Sequence, residues 1–284
     1  MNKAIVRKRI LYTILFIIII CWTLIQIYPI LMMFVNSIKT ESEWAIEPWG
    51  LPKTFSFKNW IDVWTGRRTG SDMALGKFFI NSLIVSMGSI LLILIVAVNA
   101  GYAFAFFKFK GKKISYSLQI AMIAVPTQAL IIPIFHMMSV LDLTNNYIGL
   151  IGVYTAFMLP FTIIIMTANF REIPFELIEV ARLDGCSEFR IIWTIIIPVA
   201  KGIILSLAIL SLIGIWNELL YAFLLMNRYD TKTLTVGILS LKGQYVIKWT
   251  GLFAGLSISS LPIIILYIIF QKQISKSMTL GALK

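Results

Sequence analysis

Charge is what this 284-residue sequence most lacks: charged residues make up 13% of it, about half the ~25% of an ordinary soluble protein. Hydrophobic residues take 59%, more apolar side chain than a soluble domain of this length can hide. The deficit excludes a soluble globular protein and makes lipid the solvent. Cysteine is scarce too. Cys21 lies in an apolar run and Cys186 in a polar segment, so no disulfide scaffold or zinc site can be assembled from them. His136 is the only histidine, and a ring packed against a helix or near headgroups beside Asp142 suits it better than a metal or proton role. No Gly-x-x-x-x-Gly-Lys phosphate loop occurs, so the chain carries no nucleotide-hydrolysing motor. The net charge of +12 does not point to nucleic acid, because the basic residues stand at the ends of apolar runs, where topology accounts for them.

What the sequence has in abundance is long runs without charge. A spanning helix needs ~20 apolar residues. Ile10–Val35, Phe78–Phe107, Ile114–Leu141, Leu143–Phe170 and Thr250–Gln271 contain no Asp, Glu, Lys or Arg, and Gly202–Asn227 contains only Glu218. The expected architecture is therefore an all-α integral membrane protein with six transmembrane helices. The first run is longer than a signal-peptide core and is not followed by a small-residue cleavage site, so it is expected to remain as a helix.

Basic residues orient the spans. An N-terminus with Lys3, Arg7, Lys8 and Arg9 stays in the cytoplasm. Six spans then put 15 of the 25 basic residues inside, together with both termini. The bias is sharpest in short loops: residues 108–113 hold four lysines, and the loop around Asp142 holds no basic residue. Asn145-Asn146 fits an outer turn. The outer segment from Lys39 to Lys77 carries Trp44, Trp49, Trp60 and Trp64, which suit lipid-interface anchoring or contact with an external partner. Small residues at Ala97, Ala100, Gly101, Ala103 and Ala105 let a neighbouring helix approach closely. Pro126 and Pro133 interrupt the third run and Pro160 the fourth, as static kinks or as points of bending.

Against this apolar background one charged stretch stands out. Five of the 13 acidic residues fall between Glu172 and Glu188. Pro174 suits the first turn of a helix, Gly185 the left-handed position just past its end, and Ser187 the cap of a second short helix carrying Phe189 and Trp193. A helix–turn–helix that is charged on one side and apolar on the other, held between spans, is suited to dock on another protein.

Glu179-Val180-Ala181, with Gly185 four residues after Ala181 and then Ile195-Ile196-Ile197-Pro198, resembles the EAA loop of binding-protein-dependent ABC importer permeases. Val180 replaces the middle alanine of that pattern, and Ile197 a leucine. Asn81-Ser82 and Ala100-Gly101-Tyr102-Ala103-Phe104-Ala105, followed by Lys110-Gly111-Lys112, are similar to two further stretches of the family. Trp216-Asn217-Glu218, Thr233-Leu234 with Gly237, and the tail Leu280-Gly281-Ala282-Leu283-Lys284 resemble its sugar-importing branch, in particular the second membrane subunit of maltose-type systems.

The resemblance implies a type I ABC importer permease fold and an import subunit moving a sugar or oligosaccharide by alternating access. It divides the chain into residues 1–77 (tail, added helix and outer loop), a conserved domain at 78–271 with its coupling loop at about 171–201, and a cytoplasmic tail at 272–284. It implies that Glu179, Ala181, Asp184, Gly185, Ile195 and Pro198 belong to the ATPase-coupling loop, with Ala181 at the contact surface. Gly281, allowing a turn, and Lys284 would reach the ATPase. Thr233, Leu234 and Gly237 would face the binding protein. Trp216, Asn217 and Glu218 are candidates for the translocation path, although an intramembrane carboxylate can equally serve as a hydrogen-bonding post between helices. The implied partners are the lipid bilayer of a bacterial cytoplasmic membrane, a homologous second permease, a cytoplasmic ATPase dimer and an external sugar-binding protein. No cofactor is expected on this chain, ATP and Mg belonging to the ATPase, and no enzymatic activity of its own. An importer of the same architecture for a polyamine, phosphate or polyol stays open, as does a channel. An enzyme would need paired carboxylates, and Glu218 stands alone.

Overall fold

The computed structural model describes residues 3–67, 74–241 and 248–282, and side chains between residues 8 and 271 of these. Among the described residues every regular element is a helix. Lipid requires this, since backbone amides there must be satisfied within their own segment. In chain order they are α1 (Lys3–Ser37), α2 (Glu41–Ile46), α3 (Lys58–Thr65), α4 (Leu75–Phe106), α5 (Lys112–Ile123), a 3-10 turn (Thr127–Leu130), α6 (Ile131–Val140), α7 (Tyr147–Phe170), α8 (Phe175–Leu183), α9 (Glu188–Ile191), a π-turn (Ile192–Ile196), α10 (Ile197–Val199), α11 (Lys201–Trp216), α12 (Leu220–Leu225), α13 (Leu234–Ser240) and α14 (Trp249–Ala282).

Four of the six apolar runs are continuous helices: α1, α4, α7 and α14 are each long and apolar enough to cross a membrane. The third run is a bent pair. Lys112–Ile123 and Thr127–Val140 meet at 96°, and the break falls at extended Pro126. Pro133 lies in the first turn of α6, where a missing N–H is harmless. Pro160 stays inside an unbroken α7. The fifth run departs from expectation. Instead of one helix over Gly202–Asn227, α11 stops at Trp216, the chain turns through Asn217–Leu219, and α12 follows. On the other side α11 meets Glu188–Val199 at 82°, with Ala200 at the break. His136 is exposed on α6 rather than packed under another helix.

The chain forms two compact units, Met1–Gly76 with Ile238–Leu261, and Lys77–Gly237 with Pro262–Lys284. In the first, the polar segment after α1 is held by directed hydrogen bonds. Asn59 is buried, and its amide donates to the Ser37 and Lys39 carbonyls at 2.8 and 2.7 Å. Lys39 is also buried; its ammonium donates to the Glu47 and Pro48 carbonyls at 2.9 and 3.4 Å. Glu41 caps α14, accepting from the amides of Trp249 (2.9 Å) and Thr250 (3.3 Å) and from the Thr250 hydroxyl (2.7 Å). The tryptophans of this segment have partners within the chain, which neither sequence reading foresaw. Trp44 stacks on Trp249 at 5.5 Å and Trp49 on Tyr28 at 6.3 Å, while Trp60 Nε1 donates to Ser37 Oγ at 3.0 Å.

The second unit has two apolar cores. One gathers Tyr102, Phe104, Met166, Phe170, Ile178, Ile191 and Ile196. The other gathers Val85, Leu150, Tyr154, Ile215, Tyr221 and Leu225. The small-residue stretch of α4 serves the first core. A Cβ at Gly101 would lie 2.8 Å from the Met166 Cβ, closer than two side chains can pack, so α4 and α7 depend on that glycine. Asn145 occupies a left-handed turn, with φ 56°, and Asn146 caps α7 by accepting from the Ile148 amide at 2.9 Å.

Candidate functional site

The charged stretch folds as its local chemistry directs. Pro174 sits at the cap position of α8, one residue before the first turn. Ile178 and Ala181, three apart and so on one helical face, are buried, whereas Glu176, Glu179, Val180 and Leu183 are exposed. α8 ends in a Schellman motif: the Cys186 amide donates to the Ala181 carbonyl and the Gly185 amide to the Arg182 carbonyl, both at 3.0 Å. This places Gly185 in the left-handed region at φ 76°, the conformation glycine adopts without a Cβ penalty. Ser187 then caps α9, its hydroxyl accepting from the Arg190 amide at 3.3 Å.

The result is a two-sided segment. Ile178, Ala181, Ile191, Ile192 and Ile196 pack inward. Leu183 is 86% exposed, and Val180, Phe189, Trp193 and Val199 stand open beside Glu176, Glu179, Asp184 and Pro198. Ile195 is half-buried. One expectation is corrected here. Ala181 does not lie on the exposed face; it is buried in this chain's own core, because it shares the helical face of Ile178. A larger residue there would disturb the inside of the permease and not an external contact.

A linkage that sequence reading missed joins this segment to α4. The buried Tyr102 hydroxyl donates to Glu188 Oε2. Arg182 donates to the same carboxylate from both sides of its fork, Nε to Oε1 at 2.8 Å and an Nη to Oε2 at 3.2 Å. The hydrogen bond to Glu188 holds the Arg182 guanidinium pKa above its usual value. The signal was present as a large aromatic amid the small residues 100–105, and as an Arg and a Glu flanking a glycine turn.

Trp216-Asn217-Glu218 marks the end of α11. Trp216 is buried, edge-on to Phe79 at 5.4 Å, and the exposed Asn217 donates back to the Ile213 carbonyl at 2.8 Å. Glu218 holds the helix break together. Its Oε1 accepts from the Tyr221 amide at 2.9 Å, and its Oε2 from the Ala222 amide at 3.1 Å and the buried Tyr154 hydroxyl at 2.6 Å. The cavity beside it, lined by Ser86, Tyr154, Glu218, Thr233 and Thr235 among others, measures about 10 Å³. That is room for about one water and far too little for a transported solute. These bonds are what a hydrogen-bonding post between helices makes, one of the two readings of Glu218.

Thr233, Leu234 and Gly237 also differ from expectation. All three are buried instead of presented outward. The Leu234 amide donates to Ser82 Oγ at 2.8 Å, and a Cβ on Gly237 would come within 2.0 Å of the Phe78 ring. Asn81 completes the anchor: its amide donates to the Asp230 and Lys232 carbonyls at 2.9 and 2.8 Å, and its oxygen accepts from the Tyr147 hydroxyl at 2.8 Å. The Asn81-Ser82 pair thus fastens the 230–237 segment from within, leaving Arg228 as an exposed part of that loop. α14 continues through Gly281 to Ala282, so no turn occurs at Gly281; Lys284 lies outside the described residues.

Residues 97–280 match the family described as binding-protein-dependent transport system inner membrane component. The chain is 36% identical to a putative ABC transporter permease protein of Caldicellulosiruptor sp. (95% of this chain, 96% of the relative). It is 30% identical to the diacetylchitobiose uptake system permease protein of Streptomyces coelicolor (93% and 86%). It is also 30% identical to the arabinooligosaccharides transport system permease protein of Bacillus subtilis (92% of each). A chain in the crystal structure of a bacterial ABC transporter that imports the acidic polysaccharide alginate shares the fold, with a TM-score of 0.79 at 23% identity over 94% of this chain and 97% of that one. Such permeases are not enzymes; they work with a partner permease, a separate ATPase and a substrate-binding protein. This chain belongs to the binding-protein-dependent transport system inner membrane component family: it is a multi-pass ABC importer permease of the type I fold.

Proposed function

We propose that this permease imports a sugar or oligosaccharide and takes its drive from a cytoplasmic ATPase dimer seated on the α8–α9 segment. The observation that carries the docking part is the exposed apolar row of Val180, Leu183, Phe189 and Trp193, set beside Glu179 and Asp184 on a segment whose opposite face is packed. Closing of the ATPase pair would carry this segment with it and rock the spans between outward-open and inward-open states. Glu179, Asp184, Ile195 and Pro198 belong to that site in this reading, and the tail with Gly281 and Lys284 is assigned to the same ATPase. Relatives whose names specify diacetylchitobiose and arabinooligosaccharides support the substrate class.

The test is uptake of labelled chito-, arabino- and malto-oligosaccharides by cells with and without the gene, with a polyol, phosphate and a polyamine as contrasts. Loss of one oligosaccharide alone is expected. Loss confined to a polyol, phosphate or a polyamine would replace the sugar reading by that solute.

The reading also requires both termini and the α8–α9 segment to be cytoplasmic. With Cys21 and Cys186 replaced, a cysteine at Asp142, in the turn after α6, should react with an impermeant maleimide added outside intact cells, and one at Lys110 should react only after lysis. Both positions are exposed, so accessibility reports the side of the membrane. The reverse pattern would put the docking segment on the wrong face.

A further inference from the structure

Two ways lead out of the α8–α9 segment, and they are built differently. Toward α11 the chain passes through the π-turn Ile192–Ile196 and breaks at Ala200, bending by 82°. π-turns are uncommon and concentrate at functional positions. Toward α4 the segment is tied down. The Glu188 carboxylate accepts from Tyr102 and from both arms of Arg182. The guanidinium lies over the Phe107 ring at 5.6 Å and the Phe175 ring at 5.9 Å. Tyr102 packs against Phe106 and Phe107 at 5.1 and 5.5 Å, and Phe106 stacks on Phe175 at 6.3 Å. Tyr102 is 1% exposed, so its hydroxyl has a fixed direction.

We infer that Tyr102, Glu188 and Arg182 act as a latch that makes α8 and α9 move with the end of α4, leaving the π-turn and Ala200 to absorb the change of angle toward α11. These are positioning residues: they touch neither nucleotide nor solute. A single exposed ion pair would hold little. Here the pair is bidentate, is covered by aromatic rings, and includes a hydroxyl from another helix 86 residues away in sequence. A hydrogen bond to a charged group biases a two-state position by about tenfold or more, enough to decide whether the segment carries α4 along or slides past it.

The inference rests on the docking reading above, and Tyr102→Phe separates the two. That change removes only a hydroxyl. Glu188 keeps Arg182 and has access to water, so no buried group is orphaned and assembly should persist. The purified importer, with both permeases and the ATPase, is placed in nanodiscs. Co-purified ATPase is quantified, and hydrolysis is measured with and without the cognate binding protein. Tyr102→Phe and Glu188→Gln should each retain the ATPase and lower the stimulation ratio by about fivefold. The double variant should fall no further, because the groups act as one unit. Unchanged stimulation in both single variants would overturn the latch. So would effects that multiply in the double variant, or loss of subunits in Tyr102→Phe, which would make the hydroxyl a packing requirement. A wild-type permease pair that brings down no ATPase would instead overturn the docking reading beneath it.

Discussion

Gly185→Val is expected to remove binding-protein-stimulated ATP hydrolysis while the membrane bundle still assembles. The reason lies in the backbone and not in crowding. A Cβ at Gly185 would meet nothing within 4 Å, but φ is +76°. A side chain in that conformation costs ~1–2 kcal/mol, and a β-branched one is the least tolerated there. The chain can relieve the strain only by giving up the Schellman bonds from Cys186 to Ala181 and from Gly185 to Arg182. α9 would then leave α8 at another angle, and Phe189 and Trp193 would no longer share a surface with Val180 and Leu183. Gly185→Asn should be milder, because asparagine tolerates the left-handed region. The measurement is ATPase recovered with the permease pair, together with its stimulation. Wild-type values for both in Gly185→Val would show that the turn does not set the docking surface.

Glu218→Ala should lower the melting temperature of the purified permease. The carboxylate satisfies the Tyr221 and Ala222 amides at the start of α12 and the Tyr154 hydroxyl of α7. Alanine would orphan three donors, all on buried residues. Leaving buried donors unpaired costs about 1–3 kcal/mol each, and water reaching the half-buried site offsets part of it, so a loss of ~3 kcal/mol is expected. For a chain of this size that corresponds to roughly 6–12 °C. Glu218→Gln should recover about half the loss, because its amide oxygen still accepts but its NH2 meets further donors. A Glu218→Ala protein that melts with the wild type yet fails to transport would return this residue to the solute path.

The parts of the fold legible in the sequence are those written in local chemistry. Charge-free runs marked the C-terminal ends of α1, α4 and α7 to within two residues, and Gly185 and Ser187 announced the turn and cap that they make. Hydropathy was blind within 202–227, because Asn217–Leu219 interrupts the helix with no proline or glycine to flag it. The flag was Glu218 itself, an acceptor placed three and four residues before the amides it caps. Ala181 was misplaced by following the motif rather than the helical phase, which Ile178 already fixed. Thr233, Leu234 and Gly237 could not be placed from their own neighbourhood: Ser82 and Phe78, which bury them, lie about 150 residues earlier. A separation of 86 residues likewise hid the bond from Tyr102 to Glu188.

The cap that Glu41 places on α14 has a consequence for how the protein is made. Glu41 leaves the ribosome 208 residues before Trp249, whose amide it accepts. Through those 208 residues of synthesis the Trp249 and Thr250 amides are not yet there for its carboxylate to accept from, while Asn59 can already bond the Ser37 and Lys39 carbonyls. The last span therefore meets a polar segment made long before it, and its first turn is completed there.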